Sequence, residues 1–127
     1  MNKNTKLTGN FGEEITEKFL VKKKYKILER NYNTKLGEID IIAANKSNII
    51  FVEVKTRGVN SLGFPAEAVT KSKQKKIIKT AFLYLMHNPC ELQPRFDVSE
   101  VYISENKSYK INYIENAFIQ EDDYAAF

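Results

Sequence analysis

Residues 37–57 read Gly37-Glu38-Ile39-Asp40-Ile41-Ile42-Ala43-Ala44-Asn45-Lys46-Ser47-Asn48-Ile49-Ile50-Phe51-Val52-Glu53-Val54-Lys55-Thr56-Arg57. Two apolar, β-branched runs flank Asn-Lys-Ser-Asn, whose side chains favour a turn, so the stretch predicts two antiparallel strands, Glu38 to Ala44 and Ile49 to Thr56. Hairpin loops of two or four residues centred on Lys46-Ser47 both pair Ala44 with Ile49. Counting back along the ladder places Ile42 opposite Phe51, Asp40 opposite Glu53 and Glu38 opposite Lys55, with all six side chains on one face. Two carboxylates are then expected to face each other. Directly opposed Cβ atoms are roughly 4.5–5.5 Å apart, and like charges there are destabilising unless something binds between them.

A divalent cation would satisfy that arrangement. Asp and Glu oxygens suit Mg²⁺, which is commonly held by one or two carboxylates with water and phosphate oxygens completing its shell. Lys55 beside such an ion could orient or help deprotonate a water, while the ion polarises a phosphoryl oxygen. The competing reading is a solvent-facing sheet surface on which Glu38, Asp40, Glu53, Lys55 and Arg57 form salt bridges. Against it, Ile50, Val52 and Val54 on one face and Ile49 and Phe51 on the other predict a strand covered on both sides. Charges at the far end of such a strand mark a cleft.

Outward from the hairpin, Phe11, Ile15 and Phe19 recur at helical spacing up to Lys24, and Asn10 followed by Glu13 resembles a capping box. Tyr25 to Asn33 alternates as a strand, with Gly37 as the turn that follows it. Gly58 to Pro65, with two Gly, a Ser and a Pro, predicts a mobile loop able to cover a site, before helical structure begins at Pro65 or Thr70. From Lys71 to His87 the residues Ile77, Ile78, Ala81, Phe82 and Leu85 form a stripe that Asn88-Pro89 ends. Arg95 to Ile103 and Tyr109 to Ile114 alternate again, the second as an edge strand. The order helix, three strands, helix, one or two strands predicts an α/β fold with a mixed central sheet flanked by helices.

The 127 residues fit one domain, with a core at about 9–118 and an acidic tail at Glu121, Asp122 and Asp123. A composition of 43% hydrophobic and 28% charged residues excludes wholesale disorder. The single Cys90 and single His87 exclude an internal disulfide and a Cys/His zinc site. No apolar run approaches the roughly 18 residues of a membrane span, and Met1 to Leu7 lacks an apolar signal core. These features read as a soluble, cytoplasmic protein without a membrane partner. The formal net charge of +4 is compatible with a polyanionic partner but does not demand one.

The string Gly37-Glu38-Ile39-Asp40 with Phe51-Val52-Glu53-Val54-Lys55-Thr56-Arg57 resembles the YraN family of predicted nucleases. Gly12-Glu13, Arg30-Asn31, Pro65, Glu67-Ala68-Val69, Lys71, Arg95-Phe96-Asp97-Val98 and Asn116-Ala117-Phe118 match the same pattern in order. The resemblance covers roughly Gly9 to Phe118. It implies a restriction-endonuclease-like αβββαβ core with an Asp…Glu-x-Lys signature. Asp40 and Glu53 would be metal ligands for Mg²⁺ or Mn²⁺, the Val54 carbonyl a third ligand and Lys55 the water-positioning base. Glu13 would correspond to the first-helix acid of archaeal Holliday junction resolvases. Thr16 stands where a small Ala is usual, and Tyr32 where Trp is frequent.

The resulting expectation is a metal-dependent endonuclease that hydrolyses DNA phosphodiesters, including branched DNA, and acts as a homodimer as junction-cutting relatives do. Its site residues are Asp40, Glu53, Lys55 and Glu13, with Arg57, Lys71, Lys73, Gln74 and Lys75 at the phosphate backbone; Lys76 continues that basic run. The alternative is a non-catalytic nucleic-acid- or partner-binding module that retains the fold. Nothing in the sequence separates DNA from RNA. Asp97 is expected to pair structurally with a neighbouring cation, and Glu13 on its own could be a helix-capping acid.

Overall fold

Asn45 closes the central hairpin as its residue type predicts. Its side-chain oxygen accepts from the Ser47 and Asn48 amides at 2.9 and 2.7 Å, and its own N–H donates to the Asn48 carbonyl at 3.0 Å. This turn joins two strands spanning Gly37–Ala44 and Asn48–Gly58, with Ala44 opposite Ile49 and Ile42 opposite Phe51. The computed structural model describes residues 3–58, 69–106 and 108–119, with side chains from residue 10 onward.

Over those residues the elements are α1 (Lys3–Lys22), β1 (Lys26–Thr34), β2 (Gly37–Ala44), β3 (Asn48–Gly58), α2 (Lys71–His87), β4 (Gln93–Ile103) and β5 (Tyr109–Phe118). They form one mixed sheet in the order β1-β2-β3-β4-β5, with β3 and β4 parallel and the other neighbours antiparallel. The parallel pair requires a crossover, which α2 supplies. Thr70 caps α2 by accepting from the Lys73 amide, and Asn88 ends it by donating to the Tyr84 carbonyl at 2.8 Å. Alternation along β3 covers it on both faces. Ile49 and Phe51 join Ile77, Ile78, Ala81 and Tyr84 beneath α2, whereas Ile50 and Val52 join Leu20 beneath α1. The fold is therefore α/β, with the helix, three strands, helix, strand order of a restriction-endonuclease-like core.

β5 is an edge strand, as expected, but it runs on to Phe118. A register shift near Phe96 and a positive φ of 52° at Asn116 bring Phe118 onto Phe96, ring centroids 5.3 Å apart. Below that bulge lies a buried polar network. Arg95 grips Asp97 through Nε and Nη2 at 2.9 and 2.8 Å and also donates to the Tyr25 hydroxyl at 2.7 Å. Tyr113 donates to Asp97 at 2.6 Å and the Asn116 amide at 2.9 Å. The structural pairing expected of Asp97 is thus present.

The start of the first helix differs from expectation. α1 begins at Lys3, so Asn10 lies inside it and does not cap it. Local capping chemistry loses here because tertiary contacts fix the helix further along. A Cβ on Gly12 would fall 2.0 Å from Thr56 Oγ1, so only Gly permits this approach of helix to strand. One turn on, the fully buried Thr16 is hydrogen-bonded to Ser99 of β4 at 2.7 Å. The hydroxyl that departs from the family pattern therefore has its own partner.

Of the loop expected after β3 only Gly58 is described; residues 59–68, with Pro65 and Glu67, and the tail acids Glu121, Asp122 and Asp123 lie outside the described residues. Among the described residues no helix is long and apolar enough to cross a membrane.

Candidate functional site

The β2–β3 ladder follows the predicted register only as far as Ile41 opposite Val52. Beyond it β3 stays paired with β4 to Gly58, while β2 leaves β3 and its first residue, Gly37, lies against Lys76 and Thr80 of α2. The strands part at Asp40. Its carboxylate accepts the Val54 N–H at 2.7 Å, taking the place a carbonyl of β2 would hold had the ladder continued. At the same level Asn31 of β1 has φ 53°, and Arg30 and Ile41 belong to the α1 side whereas Tyr32 and Ile39 belong to the α2 side. The single-face arithmetic therefore fails at Asp40, because strand alternation is interrupted there. The opposed pairs Asp40 with Glu53 and Glu38 with Lys55 are not formed as ladder pairs.

The fork nevertheless brings Asp40 and Glu53 together. Glu53 faces α2, is 5% exposed, and its Oε2 lies 2.5 Å from Lys73 Nζ. Burial, then the charge of Glu53 and a hydrogen bond shared with it, push the Asp40 carboxyl up to about 8, against the opposing pull of the Val54 amide; Glu13 adds a smaller contribution. A carboxyl that holds its proton more tightly folded than unfolded loses stability as pH rises from the ordinary carboxylate value, 3.8, through about 8. The slope from this one group is at most roughly 1.4 kcal/mol per pH unit. Asp40→Asn keeps an acceptor for Val54 and removes the titration. We expect it to be more stable than wild type at pH 8, with the advantage shrinking toward pH 5. Urea melts at both pH values in EDTA check this, and a variant less stable at each pH would contradict it.

Glu13 approaches from the α1 side but is bound to Arg30 at 3.1 Å, and Arg30 also reaches Glu17 at 3.3 Å. The capping role is excluded by its place within α1. Lys55 is half-buried, and alternation along β3 puts it on the face of Glu53. Its neighbour across the parallel pair is Glu100, 6% exposed and held by Asn112 Nδ2 at 2.9 Å. Glu100 was not a sequence candidate. The period-two run Phe96, Val98, Glu100 on β4, beside Phe51, Glu53 and Lys55, is the signal that points to it.

The phosphate-facing candidates divide. Lys71 and Lys75 are exposed on the first turns of α2, and Arg57 is half-buried near the end of β3. Gln74 instead donates to the Val69 carbonyl at 2.8 Å and secures the start of α2. Lys73 belongs to the acid pair. Among the described residues no three Asp, Glu, His or Cys side chains are grouped as a metal cage. The donor set, two close carboxyls with an ammonium already resting on one of them, suits an Mg²⁺-type ion that keeps much of its water.

A UPF0102 protein of Caldanaerobacter subterraneus is 50% identical over 118 residues, covering 91% of this chain and 97% of the relative. One from Clostridioides difficile is 49% identical over 116 residues, covering 91% and 99%. Another from Clostridium botulinum is 50% identical over 115 residues, covering 87% and 92%. The model of uncharacterised protein family UPF0102 matches residues 12–101, the span from the Gly12 contact through β4. The chain belongs to that family.

Proposed function

We propose that the fork between β2 and β3 is the active site of a metal-dependent endonuclease that hydrolyses DNA phosphodiesters, as the likeness to the YraN family implies. The observation that carries this reading is the meeting of Asp40 and Glu53 where the two strands part, with Lys55 following Glu53 on the same face. Asp40 and Glu53, with the Val54 carbonyl, would hold Mg²⁺ or Mn²⁺, which when bound supplies a polarised phosphoryl oxygen and an acidified water. Lys55 orients the water that attacks phosphorus. Lys71, Lys75 and Arg57 hold the phosphate backbone beside the fork. Such an enzyme meets its substrate in the cytoplasm, and cutting a branched DNA symmetrically calls for a homodimer.

One observation favours the second reading, a binding module without catalysis. Each candidate acid has a partner within the fold: Asp40 the Val54 amide, Glu53 Lys73 and Glu13 Arg30. Incubation with linear, nicked, flapped and four-way DNAs, and matching RNAs, in Mn²⁺ or EDTA separates the two. Cutting of at least one DNA in Mn²⁺ and none in EDTA is the expected result. Binding without cutting across the whole panel would establish the module instead.

A further inference from the structure

The ammonium on Glu53 is the feature the nuclease reading leaves unused. Lys73 projects from the first turn of α2 and also lies in the fields of Asp40 and Glu38. The two partners are unequally placed: the Lys73 side chain is 46% exposed, the Glu53 side chain 6%. A carboxylate enclosed by sheet and helix cannot move without repacking, whereas an ammonium half in water on a four-carbon stem can leave at little cost. The lysine is the mobile member. A divalent ion drawn to Glu53 competes with it for the same charge.

We propose that Lys73 is an exchangeable counter-ion. It neutralises Glu53 in the metal-free protein, is displaced when a divalent cation binds, and then contacts a phosphate of nucleic acid lying along α2 beside Lys71 and Lys75. Metal and nucleic acid thereby bind cooperatively, and by linkage each strengthens the other by the same factor. The inference rests on the metal reading above but concerns binding alone, so it needs no cleavable substrate.

The test is calorimetric titration of Mn²⁺ into wild type, Lys73→Met, Lys73→Gln, Glu53→Gln and Lys76→Met. Lys76 lines the same groove and offers the same change of charge, whereas the ammonium paired with Glu53 is that of Lys73. Removing Lys73 is expected to tighten Mn²⁺ binding on the order of tenfold, and removing Lys76 by no more than about twofold, since contact and not the general field is responsible. With Ca²⁺ as a non-cleaving ion, a fluorescent DNA duplex should bind wild type more tightly than in EDTA, an enhancement that Lys73→Met loses. Wild type and Lys73→Met binding Mn²⁺ equally, with Glu53→Gln binding none, would overturn the exchange while leaving the metal site standing. Absence of Mn²⁺ binding in both would overturn the metal site and the exchange together.

Discussion

Glu53→Ala and Lys55→Ala are each expected to slow metal-dependent cleavage by at least about a thousandfold, and the double variant by little more than either alone. The non-additivity follows from geometry. Both residues lie on one face of β3 and under the proposed mechanism would act on the same transition state, so losing one would leave the other without its function. Neither change should unfold the protein. Lys73, freed from Glu53, rehydrates through its exposed half, Asp40 loses a repelling neighbour, and Lys55, though half-buried, belongs to neither apolar cluster. Single-turnover rates in Mn²⁺ beside thermal melts would show lost activity with intact folding. Undiminished cleavage by Glu53→Ala, or by wild type in EDTA, would remove the mechanism.

Asp97→Ala should cost roughly 3–5 kcal/mol, the usual result of removing one partner of a buried ion pair. Asp97 is fully buried and accepts from Arg95 twice, from Tyr113 and from the Asn116 amide. Arg95 holds its proton above its ordinary range chiefly through its bond to Asp97. Burial, then the charge and hydrogen bond of Asp97, do the same for the Tyr113 hydroxyl. Alanine leaves a guanidinium whose side chain is only 15% exposed beside an unpaired hydroxyl and amide. Asp97→Asn, which retains an acceptor, should fall between. Urea midpoints for the three proteins test the ranking, and a loss below about 1 kcal/mol would mean that water replaces the carboxylate.

Much of this architecture is legible because it rests on local chemistry. The turn at Asn45, the bounds of α2 between Thr70 and Asn88, and the two-sided burial of β3 follow from residue type and spacing. The start of α1 is not legible, since Asn10 and Glu13 imitate a cap while the helix is fixed by Gly12 against Thr56 and Thr16 against Ser99. In the site, the ladder as far as Ile41 opposite Val52 follows from the hairpin register. The parting of the strands does not, because it depends on a side chain displacing a carbonyl at the Val54 amide. Lys73 read as a surface cation because only the crossover of α2 reveals which carboxylate it meets.

The fork also has a place in time. Asp40 and Glu53 are joined by one short hairpin, whereas β3 finds its parallel partner only after α2 has been made, with Asn48 meeting Gln93. Hairpin closure is a microsecond event, while parallel pairing must wait for a long loop to close and is correspondingly slow. During vectorial synthesis the N-terminal strands leave the ribosome first. The strands that carry the two acids therefore come together before β3 and β4 pair across the crossover helix that carries the lysine of Glu53.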